Sequence, residues 1–221
     1  MNKIVVEGHR GYAAKYPENT MVSFEAAIDL GVDAIEFDVW LTKDKVPVIL
    51  HDGNCKRTCG VDVHIRDLTL EEAKKLSAHY EEKFGDKFVG AAVEIPTLEE
   101  VLQLQAKKNP NLLLGVEIKE YTEENVDLTV ALLKEYGVYE QCFFYSWNAR
   151  IVKYLAVKYD VAILGVNLGM LGYLAQLDKN EIEKIPEILS GNLKFQNRMM
   201  LDVEVYRKGK VVYKYSALND A

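Results

Sequence analysis

The sequence of 221 residues contains no apolar run close to the roughly 20 residues that a helix needs to cross a bilayer. Its amino terminus passes from Met1-Asn2-Lys3 directly into an apolar segment, without the regions of a signal peptide. We therefore expect a soluble, cytoplasmic protein without stable membrane insertion, exported only if a leader has been removed.

Long basic runs are also missing, and the net charge is −7. A nucleic-acid backbone is bound by concentrated positive charge, so this composition excludes nucleic acid as an expected partner. The acidic excess instead favours a divalent cation.

Cysteine is scarce. Cys55, Cys59 and Cys142 are an odd number, and the first two have neither a Cys-x-x-Cys spacing nor a second pair to complete a zinc site. We interpret all three as reduced thiols of a cytosolic protein.

What the sequence does contain is a repeated order of apolar, β-branched segments and capped, amphipathic segments. Predicted strands cover residues 4–6, 32–41, 46–50, 112–119, 142–145 and 161–166. Predicted helices start near Thr20, in capping boxes at Thr69 and Thr97, and at residues 123 and 149. Strands alternating with helices predict an α/β fold with parallel strands and right-handed crossovers, and polar residues at the strand ends favour a TIM (β/α)8-like barrel.

The end of the chain fits this pattern less well. A helix over 181–189 is followed by two strands, 199–206 and 210–215, which form a hairpin pattern. We therefore predict one domain over 1–221, a barrel that is incomplete or atypically closed, with a long insertion at 54–95 and an atypical hairpin at 195–221.

Polar side chains collect at the carboxyl ends of the predicted strands. Two carboxylates on the inward face of one strand repel each other, so a positive group is expected between them; the alternative is a polar sheet edge in water. Three carboxylates without cysteine suit one divalent cation, Mg2+ or Ca2+, and two histidines can divide the acid and base roles beside two cationic side chains. The residues concerned are His9, Arg10, Glu36, Asp38, His51, Glu117 and Lys119.

Several short motifs together resemble the glycerophosphodiester phosphodiesterase family. They are His9-Arg10-Gly11, Pro17-Glu18-Asn19-Thr20, Glu36-Phe37-Asp38, His51-Asp52, the segment from Ile95 to Leu102, and Glu117-Ile118-Lys119. The resemblance implies a barrel that hydrolyses a small-molecule glycerophosphodiester to glycerol 3-phosphate and an alcohol. It further implies metal ligands Glu36, Asp38 and Glu117, catalytic residues His9 and His51, and substrate-binding residues Arg10 and Lys119.

The chain departs from the family pattern in two places. Glu7 stands where a small or apolar residue is usual, and it is expected to raise the pKa of His9, to join the metal ligands, or to form a salt bridge lower in the barrel. Residues 215–219 are a degenerate form of a late family strand, and the final family strand is absent.

Two other functions stay open. A phospholipase D-like or phosphoinositide-cleaving relative would use an exposed apolar loop, for which 166–177 is the candidate unless that segment is a buried helix. A non-catalytic member with a truncated barrel would act in binding or assembly, with its carboxyl-terminal hairpin pairing with another copy of the chain as a homo-oligomer.

Overall fold

The computed structural model describes residues 5–91, 93–159, 162–163, 194–196, 200–207 and 210–218. The strands are β1 (Glu7–His9), β2 (Ala34–Leu41), β3 (Pro47–Ile49), β4 (Leu113–Ile118), β5 (Cys142–Tyr145), β6 (Ala162–Ile163), β7 (Lys194–Gln196), β8 (Met200–Arg207) and β9 (Lys210–Leu218). The α-helices are α1 (Met21–Asp29), α2 (Lys56–Cys59), α3 (Leu70–Ala73), α4 (Glu81–Phe84), α5 (Leu98–Lys108), α6 (Glu123–Glu135) and α7 (Ala149–Lys158). Short 3-10 turns cover Ile65–Asp67, Gly85–Phe88 and Tyr139–Gln141.

The main sheet has the strand order β1-β2-β4-β5-β6, and all of these neighbours are parallel. Crossovers through helices connect them, as the alternating pattern predicted. Within the described residues the sheet is not closed by hydrogen bonds, so it forms an incomplete barrel, as expected.

β3 corrects the prediction that every strand runs parallel. It pairs antiparallel with β2, from Val39↔Ile49 to Leu41↔Pro47. β4 pairs with one edge of β2, so β1 and β3 both pair with the opposite edge. The carboxyl ends of β1 and β3 face each other along that edge. This hairpin arises because the short connection 42–46 leaves no room for a crossover helix.

The first strand also begins later than predicted. Glu7 pairs with Ala34 and His9 with Glu36, whereas Val6 precedes the strand with 55% of its surface exposed. Ile4 lies outside the described residues. β-branched character alone therefore placed the strand too early, since register with β2 decides its bounds.

One face of the sheet packs against helices and builds the main core. The apolar residues of β2, β4 and β5 on this face contact α1, α5, α6 and α7. The opposite face carries the side chains of Glu36, Asp38 and Glu117, because successive residues of a strand point to opposite sides.

Threonine caps fix where three helices begin. Thr20 accepts from the backbone N–H of Ser23, and Thr69 and Thr97 form capping boxes with Glu72 and Glu100. Each cap satisfies donors that a helix amino terminus otherwise leaves unpaired, as the sequence predicted.

The insertion 54–95 has a small core of its own. Cys55, Cys59 and Ile65 pack with Val93 and Ile95, and all are buried. The three cysteines are free and buried, in agreement with their interpretation as thiols. The same core includes Val48 of β3 and Leu50, so the insertion is anchored to β3.

The predicted hairpin near the carboxyl terminus is present. β8 and β9 pair antiparallel, and β7 extends them to a three-stranded sheet. The loop 166–177 and the helix 181–189 lie outside the described residues. No helix in the part of the chain that the structure describes is long and apolar enough to cross a membrane.

Candidate active site

Three carboxylates meet on the inward face of the sheet. Glu36 and Asp38 come from β2 and Glu117 from β4, where Asp38 and Glu117 are register partners. One oxygen from each lies within 4.8 Å of the others, and the residues are 3%, 0% and 8% exposed. This is the cluster that the sequence predicted.

A positive group, Lys119, lies between Asp38 and Glu117, whereas the sequence predicted one between the two carboxylates of β2. Its Nζ lies 2.8 Å from Glu117 Oε1 and 3.3 Å from Asp38 Oδ1. Burial alone would lower the pKa of Lys119, but the two carboxylates raise it above the ordinary value.

Burial raises the pKa of Glu36 well above its ordinary value, and the charges of Asp38, Glu7 and Glu117 raise it further. Burial also raises the pKa of Glu117, although Lys119 opposes the shift. Asp38 Oδ1 and Glu117 Oε1 are buried, and both lie against the single ammonium of Lys119. The cluster therefore holds more negative charge than the protein neutralises, and its oxygen donors fit a hard divalent cation.

The two histidines lie where β1 and β3 approach each other. His9 ends β1 opposite Glu36, and its Nε2 is 3.8 Å from Glu36 Oε2. Partial removal of water within the site lowers the pKa of His9, and the charge of Arg10 lowers it further. His51 follows β3 beyond Leu50, whose N–H donates to the carbonyl oxygen of Asp38 at 3.0 Å.

His51 is held by two neighbours. Its Nδ1 is 2.6 Å from Asp52 Oδ1, and its backbone carbonyl accepts from Trp40 Nε1 at 3.2 Å. Because a carboxylate only accepts, Nδ1 is the donor and Nε2 is the nitrogen left for other chemistry.

Arg10 occupies a left-handed backbone conformation, with φ of 56°. Its backbone N–H donates to Glu36 Oε2 at 3.0 Å, its Nη1 donates to Glu18 Oε1 at 3.0 Å, and its Nε lies 3.5 Å from Asp38 Oδ2. The guanidinium is thereby fixed beside the carboxylate cluster.

The structure brings all seven predicted residues to this region and adds four that sequence reasoning did not assign. Asn19 donates from Nδ2 to Asp38 Oδ2 at 2.7 Å. Glu18, Asp52 and Arg57 form ion pairs around Arg10 and His51. Glu18, Asn19 and Asp52 lie in motifs that resemble the family. No local signal distinguishes Arg57 from other basic residues.

Glu7 lies on the same inward face but is not part of the cluster found among the described residues. It accepts a hydrogen bond from Tyr145 Oη at 3.0 Å and would lie 2.7 Å from a Cβ at Gly115. Its charge acts on the pKa of Glu36. These contacts do not support metal ligation by Glu7, and the expected rise in the pKa of His9 is wrong, because that pKa is lowered.

An open cleft of about 1020 Å³ lies beside the site. Asp52 and Arg57 line it together with residues of the insertion, among them His79, Glu81 and Glu82. Apart from Asp52, its lining residues belong to the insertion, so the cleft lies in the insertion and reaches the site at Asp52.

Comparisons with known proteins find relatives that are named as phosphodiesterases or phospholipases. A glycerophosphodiester phosphodiesterase of Caldanaerobacter subterraneus subsp. tengcongensis is 39% identical over 171 residues, which are 73% of this chain and 67% of that protein. The lysophospholipase D GDPD1 of Homo sapiens is 33% identical over 171 residues, 72% of this chain and 53% of that protein. The chain thus spans about half to two thirds of the length of these relatives.

Solved structures agree. An Oleispira antarctica phosphodiesterase in complex with the product sn-glycerol-3-phosphate superposes with a TM-score of 0.65 and 27% identity over 77% of this chain and 70% of that one. The model of the glycerophosphoryl diester phosphodiesterase family matches residues 9–212. The chain therefore belongs to the glycerophosphoryl diester phosphodiesterase family.

Proposed function

We propose that this protein hydrolyses glycerophosphodiesters to glycerol 3-phosphate and an alcohol. The observation that carries the proposal is the buried cluster of Glu36, Asp38 and Glu117, with the two histidines at its rim. The family membership and the product bound to the Oleispira antarctica relative support the same reaction class.

Glu36, Asp38 and Glu117 are the residues that would hold one divalent cation, Mg2+ or Ca2+. When bound, such a cation supplies charge neutralisation for the phosphate oxygens. The burial of three carboxylates whose oxygens lie within 4.8 Å of one another supports this assignment, because Asp38 and Glu117 share only one lysine ammonium among the described residues.

Arg10 and Lys119 bind the diester. Both cationic groups lie against the carboxylate cluster, Arg10 through Asp38 and Lys119 through Asp38 and Glu117. An arginine fork holds two phosphate oxygens at once, and the ammonium adds a second point of charge.

His9 and His51 perform the proton transfers. One imidazole removes a proton from water or from the substrate's glycerol hydroxyl, whose oxygen forms a bond to phosphorus. If the hydroxyl attacks, the product is a cyclic phosphodiester, and water then opens its ring to give glycerol 3-phosphate. The other delivers a proton to the oxygen of the leaving alcohol as its bond to phosphorus breaks. The positions of the two rings, at the facing ends of β1 and β3, suit this division.

The test is release of glycerol 3-phosphate from glycerophosphocholine by the purified chain, with Mg2+, with Ca2+ and with chelator. His9→Ala and His51→Ala are each expected to lower turnover by at least about 100-fold while metal binding is retained. His79→Ala serves as the control, because that ring binds Ser77 within the insertion. Near-normal turnover in either site variant would refute the assigned role, and a chain that binds metal without turnover would favour the non-catalytic alternative.

A second candidate is hydrolysis of lysophospholipids, which the name of the Homo sapiens relative, lysophospholipase D GDPD1, supports. Tyr121, after β4, is 47% exposed and Trp147, after β5, is 66% exposed, so two large aromatic side chains lie at the rim. A comparison of glycerophosphocholine with lysophosphatidylcholine as substrate decides between the two. The cytoplasmic location and the pairing of carboxyl-terminal hairpins stay predictions.

A further inference from the structure

Arg57 lies in the insertion but reaches both sides of the candidate site. It is a residue of α2, and its Nη2 donates to Glu18 Oε1 at 2.7 Å while its Nε donates to Asp52 Oδ2. Its guanidinium also lies over the ring of Tyr80, 5.0 Å from the centroid. One side chain from outside the main sheet therefore joins two separate loops.

Each carboxylate that Arg57 binds also binds a residue assigned to the reaction. Glu18 Oε1 accepts from Arg10 Nη1 at 3.0 Å, and Asp52 Oδ1 accepts from His51 Nδ1 at 2.6 Å. The contacts form a continuous chain from the phosphate-binding arginine to an acid–base histidine, with Arg57 at its centre.

The Glu18–Arg10 contact and the Asp52–His51 contact differ in how firmly they would be held without Arg57. Glu18 is buried and keeps its bond to Arg10. Asp52 is partly exposed, and within the described residues its side chain is held by His51 and Arg57. Trp40 fixes the backbone of His51 but not its ring. The orientation of the imidazole therefore depends most on the Asp52–Arg57 contact.

We propose that Arg57 is a positioning residue, which orients the His51 ring through Asp52 and the Arg10 guanidinium through Glu18. The inference rests on the proposed function in so far as His51 and Arg10 take part in the reaction. Lysine cannot replace it fully, because only the guanidinium fork presents Nε and Nη2 to two carboxylates at once.

The kinetic experiment compares Arg57→Ala and Arg57→Lys with the control Arg66→Ala, an exposed arginine of the same insertion. With glycerophosphocholine and saturating Ca2+ or Mg2+, Arg57→Ala is expected to lower kcat by about 10- to 100-fold, the range known for partners that orient metal-ligating imidazoles. KM is expected to rise because Arg10 loses part of its support. Millimolar guanidinium should restore part of kcat in Arg57→Ala but not in Asp52→Asn, in which the anionic acceptor is lost.

A second measurement does not depend on turnover. The ¹⁵N shifts of the His51 ring should show a proton on Nδ1 in the wild type and a mixture of tautomers in Arg57→Ala. Should the alanine variant fail to fold, the same two measurements on Arg57→Lys take its place, with smaller effects in the same direction.

The inference is overturned if the Arg57 variants keep kcat and KM within twofold of wild type while His51→Ala is inactive. It is also overturned if activity falls without a tautomer change and without guanidinium rescue, since that result shows a structural role only. If His51→Ala stays active, the proposed function fails, and the ring shifts still decide whether Arg57 orients His51.

Discussion

Lys119 and Glu117 are two residues apart in the chain, and their charged atoms meet inside the carboxylate cluster, with Nζ 2.8 Å from Oε1. The lysine ammonium thus contacts carboxylate oxygens that we assign to a divalent cation. The Lys119 ammonium and a divalent cation at this site would both contact Asp38 and Glu117. Their charges repel, so the ammonium must affect how strongly the cation binds.

Lys119→Met is therefore expected to strengthen Ca2+ binding roughly 10-fold, or about 1.4 kcal/mol, because a competing positive charge is removed. Its kcat/KM for glycerophosphocholine should fall at the same time, because a phosphate contact is lost. Isothermal titration calorimetry measures the first effect, and Lys45→Met, an exposed lysine paired with Glu124, is the control. Weaker Ca2+ binding would show that the ammonium supports the metal site instead.

Divalent cations are expected to stabilise the protein through the same cluster. At about 100 times Kd a ligand adds about 2.7 kcal/mol, which corresponds to a rise in Tm of roughly 5–10 °C. Asp38→Asn and Glu117→Gln should abolish that rise, whereas Asp62→Asn, in an exposed ion pair with Lys56, should keep it. A full rise in both cluster variants would contradict the assigned ligands.

Glu18 predicts a pH dependence of stability. Burial alone would raise the pKa of Glu18, but the hydrogen bond from Arg57 and the charge of Arg10 hold it below the ordinary value of 4.5. A depressed folded pKa adds stability above pH 4.5, and this contribution is lost as the pH falls through the folded value.

Glu18→Gln should accordingly cost about 2 kcal/mol of unfolding free energy at pH 7, as for other hydrogen bonds to charged groups. The difference from wild type should shrink as the pH falls below 4.5 and through the lowered pKa of Glu18. Urea unfolding at several pH values measures it, with the exposed Glu135→Gln as control. A constant difference across this range would show that the ionised form of Glu18 is not involved.

Two glycines with the same backbone conformation allow the cost of backbone strain to be measured apart from the cost of a steric clash. Gly11 and Gly31 have φ of 80° and 81°, but a Cβ at Gly11 would lie 2.5 Å from Ser23 Oγ, while a Cβ at Gly31 would meet nothing within 4 Å. Gly31→Ala should cost about 1 kcal/mol for the left-handed conformation alone.

Gly11→Ala should cost more than about 3 kcal/mol, because α1 must also move away. It should lower activity as well, since the carbonyl oxygen of Arg10 accepts from Ser23 Oγ at 3.1 Å. Thermal unfolding and turnover of both variants provide the comparison. Equal losses in the two variants would show that packing against Ser23 is unimportant.

Much of the fold could be predicted because the signals are local. The capping boxes at Thr69 and Thr97 mark helix starts through residues within one turn, and alternation along β2 separates the core-facing residues from Glu36 and Asp38. The antiparallel return of β3 was missed, because the direction of a strand depends on a long-range pairing that its own residues do not encode.

The residue types of the site, and the strand faces that carry them, could be read from the amino-acid order, since a period of two fixes which side chains share a face. The folded structure was needed to show that Lys119 lies between Asp38 and Glu117 and that Arg57 joins Glu18 to Asp52. Those contacts link segments up to 81 residues apart, from Asp38 to Lys119. Their geometry follows from sheet register and from the packing of the insertion, and no local pattern specifies either.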